Sequence, residues 1–471
     1  MWDRLLRGAH VVSPVNGYDG RMDVAIKDGR IAAVGPNLAG EAASVESLEG
    51  LVLMPGLIDP HLHLGSVFGS PYGTRMAALA GVTTCLDMAG PVADILAHAE
   101  ETGAGINVAM LEGFSPEARF GTLSPTEAQM RGYVDEVLQS GAIGVKLMGG
   151  HWPLPLETCR SMVKIANEKN AYVAWHAGSQ TAGSNLKGMI EVIETVKGMR
   201  LHLAHINAYC RGRVKSVREE AEEAARLLVE NPSIWSESYV SPMNGTILTC
   251  DAKGEVIDHV TRTCLATFGL PPTAEGIREA IRKGVLFVVR DTGFISELIE
   301  GEEALRVWEE KQAAGEDSAG SFPVNPALSR FMLAQAKRPD GTFVVDAIST
   351  DGGCIPRNVA IAVGLSLVKF GALTLPEFVV KTSVNPARHL RLTDRGHLTE
   401  GAAADITVFD FERQCAMETI VAGKTVMKSG ELFGHSIRFV TTAAGASVLR
   451  EKGFETIEID LTGPEPERFR A

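Results

Sequence analysis

Pro55-Gly56-Leu57-Ile58-Asp59-Pro60-His61-Leu62-His63 is an apolar run that ends in two imidazoles two residues apart. On an extended segment such residues point the same way, so both rings can grip one cation from one side. Other apolar runs also close on a polar residue. Lys146 ends Ala142-Ile143-Gly144-Val145-Lys146, and His176 ends Ala171-Tyr172-Val173-Ala174-Trp175-His176. His205 ends Leu201-His202-Leu203-Ala204-His205, and Asp351 follows Val345-Asp346-Ala347-Ile348-Ser349-Thr350. A parallel β/α barrel carries its chemistry at the C-terminal tips of its strands, and this pattern predicts that fold.

Working outward, strand-like runs at 57–63, 82–87, 106–112, 142–147, 171–176, 201–206, 233–239 and 344–350 alternate with amphipathic segments such as 218–228. Eight such units make a (β/α)8 TIM barrel of the α/β class. A ninth run, 285–290, is placed in an insertion at about 241–340, between strands 7 and 8. Residues 1–53 read as short strands with a hairpin signal at Asp28-Gly29, and 405–409 and 419–427 have the same character. The expectation is a small β-sandwich domain built from both termini, 1–53 and 394–440, flanking a barrel at 54–393. Residues 441–471 are expected to be a surface tail or a packing arm.

The chain has 471 residues and a net charge of −13. An acidic balance argues against nucleic acid or an anionic membrane surface as partner, since both require basic patches. Seven scattered cysteines without a Cys-x-x-Cys pair fit reduced thiols. The first residues, Met1-Trp2-Asp3-Arg4-Leu5-Leu6, lack an apolar export signal, and no run reaches the length of a membrane span. A soluble cytoplasmic protein acting on a small molecule is the expectation.

Neutral imidazole suits zinc and related divalent ions. His176 and His205 lie about one β/α repeat apart, a second histidine pair, so two metal ions are expected. Their mutual repulsion calls for a bridging anion. Free lysine is a poor ligand because its pKa of about 10.4 keeps it protonated. Lys146 could bridge only after carboxylation by carbon dioxide, as N6-carboxylysine. A bridging hydroxide would be the nucleophile, since coordination lowers the pKa of water to about 7. Asp351 would ligate and carry the proton to the leaving nitrogen.

This set of residues resembles the amidohydrolase superfamily, in its binuclear, carboxylated-lysine branch with hydantoinases, dihydropyrimidinases and dihydroorotases. The resemblance covers roughly residues 1–440. It implies that His61, His63 and Asp351 hold one metal, that His176 and His205 hold the other, and that Lys146 bridges them. Zinc is expected, and manganese, iron or cobalt would also be accommodated. Self-association into homo-oligomers is implied as well. Two departures bear on substrate. Dihydroorotases resemble one another in an arginine two residues after the His-x-His pair, where this chain has Gly65. Dihydropyrimidinases carry a tyrosine shortly after the lysine, where this chain reads Leu147-Met148-Gly149-Gly150-His151-Trp152.

The reading is a metal-dependent hydrolase of a carbon–nitrogen bond in a cyclic amide, imide or ureide. The alternatives are a hydrolase of linear N-acyl amino acids or dipeptides, a ring deaminase, and a non-catalytic barrel that only binds. Candidate substrate contacts are His151, Trp152, Asn207, Arg211, Arg213, Tyr239, Cys354 and Arg357. Arg211 and Arg213 stand out for an anionic group, because guanidinium binds carboxylate in a fork. His202 alternates away from His205 and reads as a hydrogen-bonded core residue. Asp59, two before His61, is a candidate for orienting it.

Overall fold

The computed structural model describes residues 1–65 and 70–470. Eight parallel strands form the central sheet: β1 Leu57–His63, β2 Val82–Ala89, β3 Ala104–Gly113, β4 Gly144–Met148, β5 Tyr172–His176, β6 Leu201–Leu203, β7 Ile234–Tyr239 and β8 Ala347–Ser349. Each pairs with the next. Their near-continuous apolar character follows from burial on both faces, toward the barrel interior and toward the helices. The helices are well marked in sequence. Glu127–Gln139 starts with a Thr126/Gln129 capping box and Val217–Glu230 with a Ser216/Glu219 box.

The barrel closes just past β8. The Asp351 amide donates to the His61 carbonyl at 2.8 Å, and Gly352 and Gly353 pair with Leu62 and His63. Gly353 has a positive φ of 76°, and a Cβ on it would lie 2.0 Å from the His63 carbonyl oxygen. Only glycine lets the two backbones meet there.

Both chain ends supply a second sheet. Strands Trp2–Ser13, Tyr18–Lys27, Arg30–Gly35, Ala42–Ser47 and Val52–Pro55 join Ile406–Asp410, Cys415–Val421, Lys424–Lys428 and Glu431–Leu432. Lys27 pairs with Arg30 across Asp28-Gly29, both at positive φ, as the hairpin signal requires. The fold is thus a TIM barrel with a terminal β-sandwich domain.

Two stretches differ from the sequence reading. Strand Ser436–Thr441 pairs in parallel with β3, not with the terminal sheet, and Glu455–Glu458 pairs with it after helix Ala443–Glu451. Ile437, Phe439 and Val440 are all buried, so this run needs cover on two faces, which the barrel flank provides. The remaining end packs across the base of the barrel: Arg468 pairs with the buried Asp346, and the Glu467 carbonyl accepts from Arg388 at 3.0 Å. Of the two possibilities for 441–471, this is a packing arm.

Within the insertion, Asn244–Ile247, Ala319–Phe322, Phe287–Asp291 and Ser296–Ile299 form their own antiparallel sheet. Leu248, Ile277, Leu286, Trp308 and Phe322 give it a separate core. Helix Ala327–Gln335, inside the expected insertion, packs instead on the barrel helix Val217–Glu230 and on β7.

Gly353→Ala is expected to cost well over 1 kcal/mol of stability, since a clash adds to an unfavourable φ. Gly371→Ala, also at positive φ but with nothing within 4 Å of the added Cβ, should cost only about 1 kcal/mol. Paired thermal melts separate the two; equal losses would mean that closure at Gly353 does not matter.

Candidate metal centre

The strand tips bring His61, His63, Lys146, His176, His205 and Asp351 to the wall of one cavity of about 350 Å³. His61 and His63 come from the end of β1, where alternate residues face inward. Two of the six sit in left-handed backbone, His205 at φ 34° and Asp351 at φ 51°. Non-glycine residues accept that conformation only where their surroundings enforce it. In both cases it turns the chain off the strand and the side chain into the barrel mouth.

Glu237, in the middle of the β7 tip, organises the floor. It accepts from His61 Nδ1 at 2.7 Å and from the His205 amide at 2.6 Å. It also accepts from the Ser349 hydroxyl. Burial opposes its charge, but His61 and His202 hold its carboxyl well below the usual range. With Nδ1–H of His61 committed to Glu237, the other nitrogen, Nε2, carries a lone pair. That nitrogen faces Asp351 Oδ1 at 3.4 Å, and His63 Nε2 lies 3.0 Å from the same oxygen. Burial also opposes the charge on Asp351, yet Arg357, His61 and His63 keep its carboxyl well below the usual range. Arg357 Nη2 pairs with Asp351 Oδ2 at 2.8 Å. On the other side, His205 Nε2 and His176 Nδ1 are 3.2 Å apart, and His176 Nε2 meets the Ser184 hydroxyl at 2.8 Å.

These residues suit divalent cations. A neutral imidazole and a carboxylate turned toward one another present two lone pairs that a metal cation between them would satisfy. Ligand atoms of His61, His205 and Asp351 all lie within 4.8 Å of one another. His205 Nδ1 is buried with no hydrogen-bond partner. Burial lowers the pKa of His61, His176 and His205, favouring the neutral rings that metals need. Lys146 is only 1% exposed, and its amine meets Met88 Sδ at 2.9 Å, a weak acceptor. No carboxylate among the described residues pairs with it, and burial brings its pKa down to about 8.

The other candidates divide. His151, Arg211, Arg213 and Arg357 line the cavity. Trp152, Asn207, Tyr239 and Cys354 do not. Trp152 is exposed outside it, and Cys354 is buried with its thiol against the Gly65 carbonyl. Asn207 is buried and accepts from Ser238 Oγ and the Tyr239 amide. Tyr239 works from behind, its hydroxyl accepting from Arg211 at 2.9 Å. Asp59 holds backbone, not a ring: it accepts from the amides of His61 and Thr350. Burial raises its pKa to about 7. Gly149 and Gly150 also line the cavity, and a Cβ on Gly150 would lie 2.1 Å from His176 Nε2. His202, read as a core residue, takes Tyr172 OH at 2.7 Å and lies 3.6 Å from Glu237. The insertion adds lining residues that sequence reasoning missed, Asn244, His259 and Thr263 among them. They belong to no motif. Asp258, also from the insertion, pairs with His151 at 3.0 Å.

Fold and site together define a barrel enzyme of the metal-dependent kind. A family profile described as amidohydrolase family matches residues 52–432, and the chain belongs to that family. A dihydroorotase of Geobacter metallireducens is 24% identical over 459 residues, covering 90% of this chain and 93% of that protein. The N-acyl-D-glutamate deacylase of Bordetella bronchiseptica, solved with zinc and a phosphonate inhibitor, superimposes with a TM-score of 0.62 at 17% identity. That match covers 93% of this chain and 98% of the other. The dihydropyrimidinase of Brevibacillus agri gives 0.61 at 17% identity, covering 94% and 99%. Among the described residues no helix is long and apolar enough to cross a membrane.

Glu237→Gln removes the charge that fixes His61 and His205. It is expected to weaken metal retention by roughly 10–100-fold, read as metal content after dialysis against a graded chelator series. Retention equal to the parent protein would show that Glu237 does not orient the ligands.

Proposed function

We propose that this protein hydrolyses an amide carbon–nitrogen bond in a cyclic amide, imide or ureide. His61, His63, His176, His205, Asp351 and a carboxylated Lys146 would hold two divalent cations, with zinc expected. The observation that carries this reading is the facing pair of His61 Nε2 and Asp351 Oδ1, with the far side of His61 tied to Glu237. Cations held there would polarise the scissile carbonyl and supply water acidic enough to attack near neutral pH.

The chain's own groups account for the rest. Asp351 accepts the proton of the attacking water and passes it to the leaving nitrogen as the carbon–nitrogen bond breaks. Arg357 binds its outer oxygen, Oδ2, and its carbonyl, which holds the carboxylate in one rotamer and leaves Oδ1 toward the histidines. His151, held by Asp258, is the cavity residue nearest the role of the missing tyrosine.

Dihydroorotate itself fits poorly, despite the dihydroorotase relative. A Cβ at Gly65 would lie 2.6 Å from the Gly90 carbonyl, so the backbone leaves no room for the arginine expected there. Linear N-acyl amino acids are the second reading, supported by two arginines on the cavity wall. A cytoplasmic homo-oligomer remains the expectation for the assembled protein.

Lys146→Ala should lower metal content and reduce activity by at least ~10²-fold, and Asp351→Asn should reduce kcat by about 10²–10⁴-fold. Normal turnover in either would sink the mechanism. Burial puts the Lys146 amine at about 8, so the neutral form that captures carbon dioxide grows as pH rises through that value. Reconstitution of metal-free protein with zinc under a fixed partial pressure of carbon dioxide should therefore quicken from about pH 7 to about pH 9. Intact mass should show one added carbon dioxide, lost in Lys146→Ala.

A further inference from the structure

The cavity wall is oppositely charged to the protein as a whole. The chain carries a net −13. Among the described residues, however, the acidic side chain on the wall is Asp351, against Lys146, Arg211, Arg213 and Arg357. Arg357 neutralises Asp351, and Lys146 belongs to the metal floor. Two guanidinium groups are left without a counter-charge.

The setting of Arg211 is built, and Arg213 stands exposed at the cavity rim two residues on. Arg211 is held by neutral acceptors alone: Asn325 Oδ1 at 2.8 Å, Tyr239 OH at 2.9 Å and Asn244 Oδ1 at 2.8 Å. Arg213 makes no hydrogen bond or ion pair within the described structure. Glu220, on the helix that follows, is buried and forms no ion pair with either arginine. Its oxygens accept from the amides of Gly212 at 2.6 Å, Val214 at 2.6 Å and Lys215 at 3.1 Å. A charged side chain spent on three backbone amides fixes the loop that carries the two arginines. The loop follows directly on His205 and its short helical turn, so the arginines are tied to the metal floor by a few residues of rigid chain. Arg213 itself is exposed at the rim of the cavity, where the surrounding protein and the like charge of Arg211 lower its pKa, the direction that an anion beside it would reverse.

We infer that Arg211 and Arg213 form a carboxylate subsite, and that the substrate is an acid whose scissile amide reaches the metal floor while its carboxylate is held at this wall. For the reacting end, the inference rests on the hydrolase reading above. Asn244 brings the insertion into the same subsite: its side-chain oxygen is committed to Arg211, and Gly245 and His259 continue the wall. A carboxylate suits the planar fork of guanidinium. The cavity size suits a substrate of amino-acid dimensions.

The test takes metal-loaded protein and a panel of N-acetyl amino acids and carboxylated cyclic ureides, each compared with its own carboxamide. Both hydrolysis and competitive binding are read. The acids should be preferred over their amides by roughly 10-fold or more. Arg213→Ala should lower that preference, chiefly through KM, and Arg213→Lys should restore part of it. Arg218→Ala, on the outer helix, should leave the preference intact. If no acid in the panel binds better than its amide, or if Arg213→Ala leaves the preference unchanged, the subsite is overturned. Acids that bind preferentially but are not hydrolysed would uphold the subsite and overturn the hydrolase reading instead.

Discussion

A buried carboxylate behind a histidine holds the centre of this protein in shape. Glu237 reaches from β7 to the ring of His61 on β1, to the backbone at His205 beyond β6 and to Ser349 on β8. One side chain therefore links four strand tips. Burying that charge would be costly alone, and the donors converging on it offset the cost. The same bonds choose the tautomer of His61 and the direction of its free lone pair. The proposed ligands are thus oriented by the protein's own hydrogen bonds, which would leave little reorganisation for the binding of a cation.

Strain is concentrated in the same place. His205 and Asp351 adopt left-handed backbone at the strand ends, and Gly353 admits the His63 carbonyl at a distance no side chain would allow. Each departure turns a strand away from its ladder just where a functional group must face inward. Below this level the barrel is ordinary, with its strands buried on both faces. A rigid base thus supports a strained rim, and local cost is tolerated because the base over-determines the rim.

Much of this was legible from residue order alone. Parallel strands buried on both faces leave unbroken apolar runs, and a polar residue ending such a run is conspicuous; His176, His205 and Asp351 were found that way. Glu237 was harder to rank. It lies within a strand among Trp235, Ser236, Ser238 and Tyr239, where polar and aromatic residues mix, and its importance comes from distant partners. The lining residues of the insertion were invisible for a related reason. Asn244 and His259 gain their roles from how a separate small core docks on the barrel, and no local period records docking. Strand Ser436–Thr441 carried a readable pattern, but the pattern does not say which sheet it joins. Its choice of β3 depends on an open flank that exists only in the assembled fold.

Chemistry and recognition consequently occupy different layers. The floor is made by strand tips and braced by Glu237 and Asp59 from inside the barrel. The wall is made by the loop after β6 and by the insertion, braced by Glu220, Asn325 and Tyr239. Apart from Arg357, which touches both Asp351 and the Met243 carbonyl of the insertion, few side chains serve the two layers together. A change in the wall can alter which acid or amide is admitted while leaving the ligand geometry untouched, because the hydrogen bonds that set that geometry close within the barrel. The opposite does not hold. The wall's arginines hang on the chain that leaves His205, so any shift of the floor moves the subsite with it.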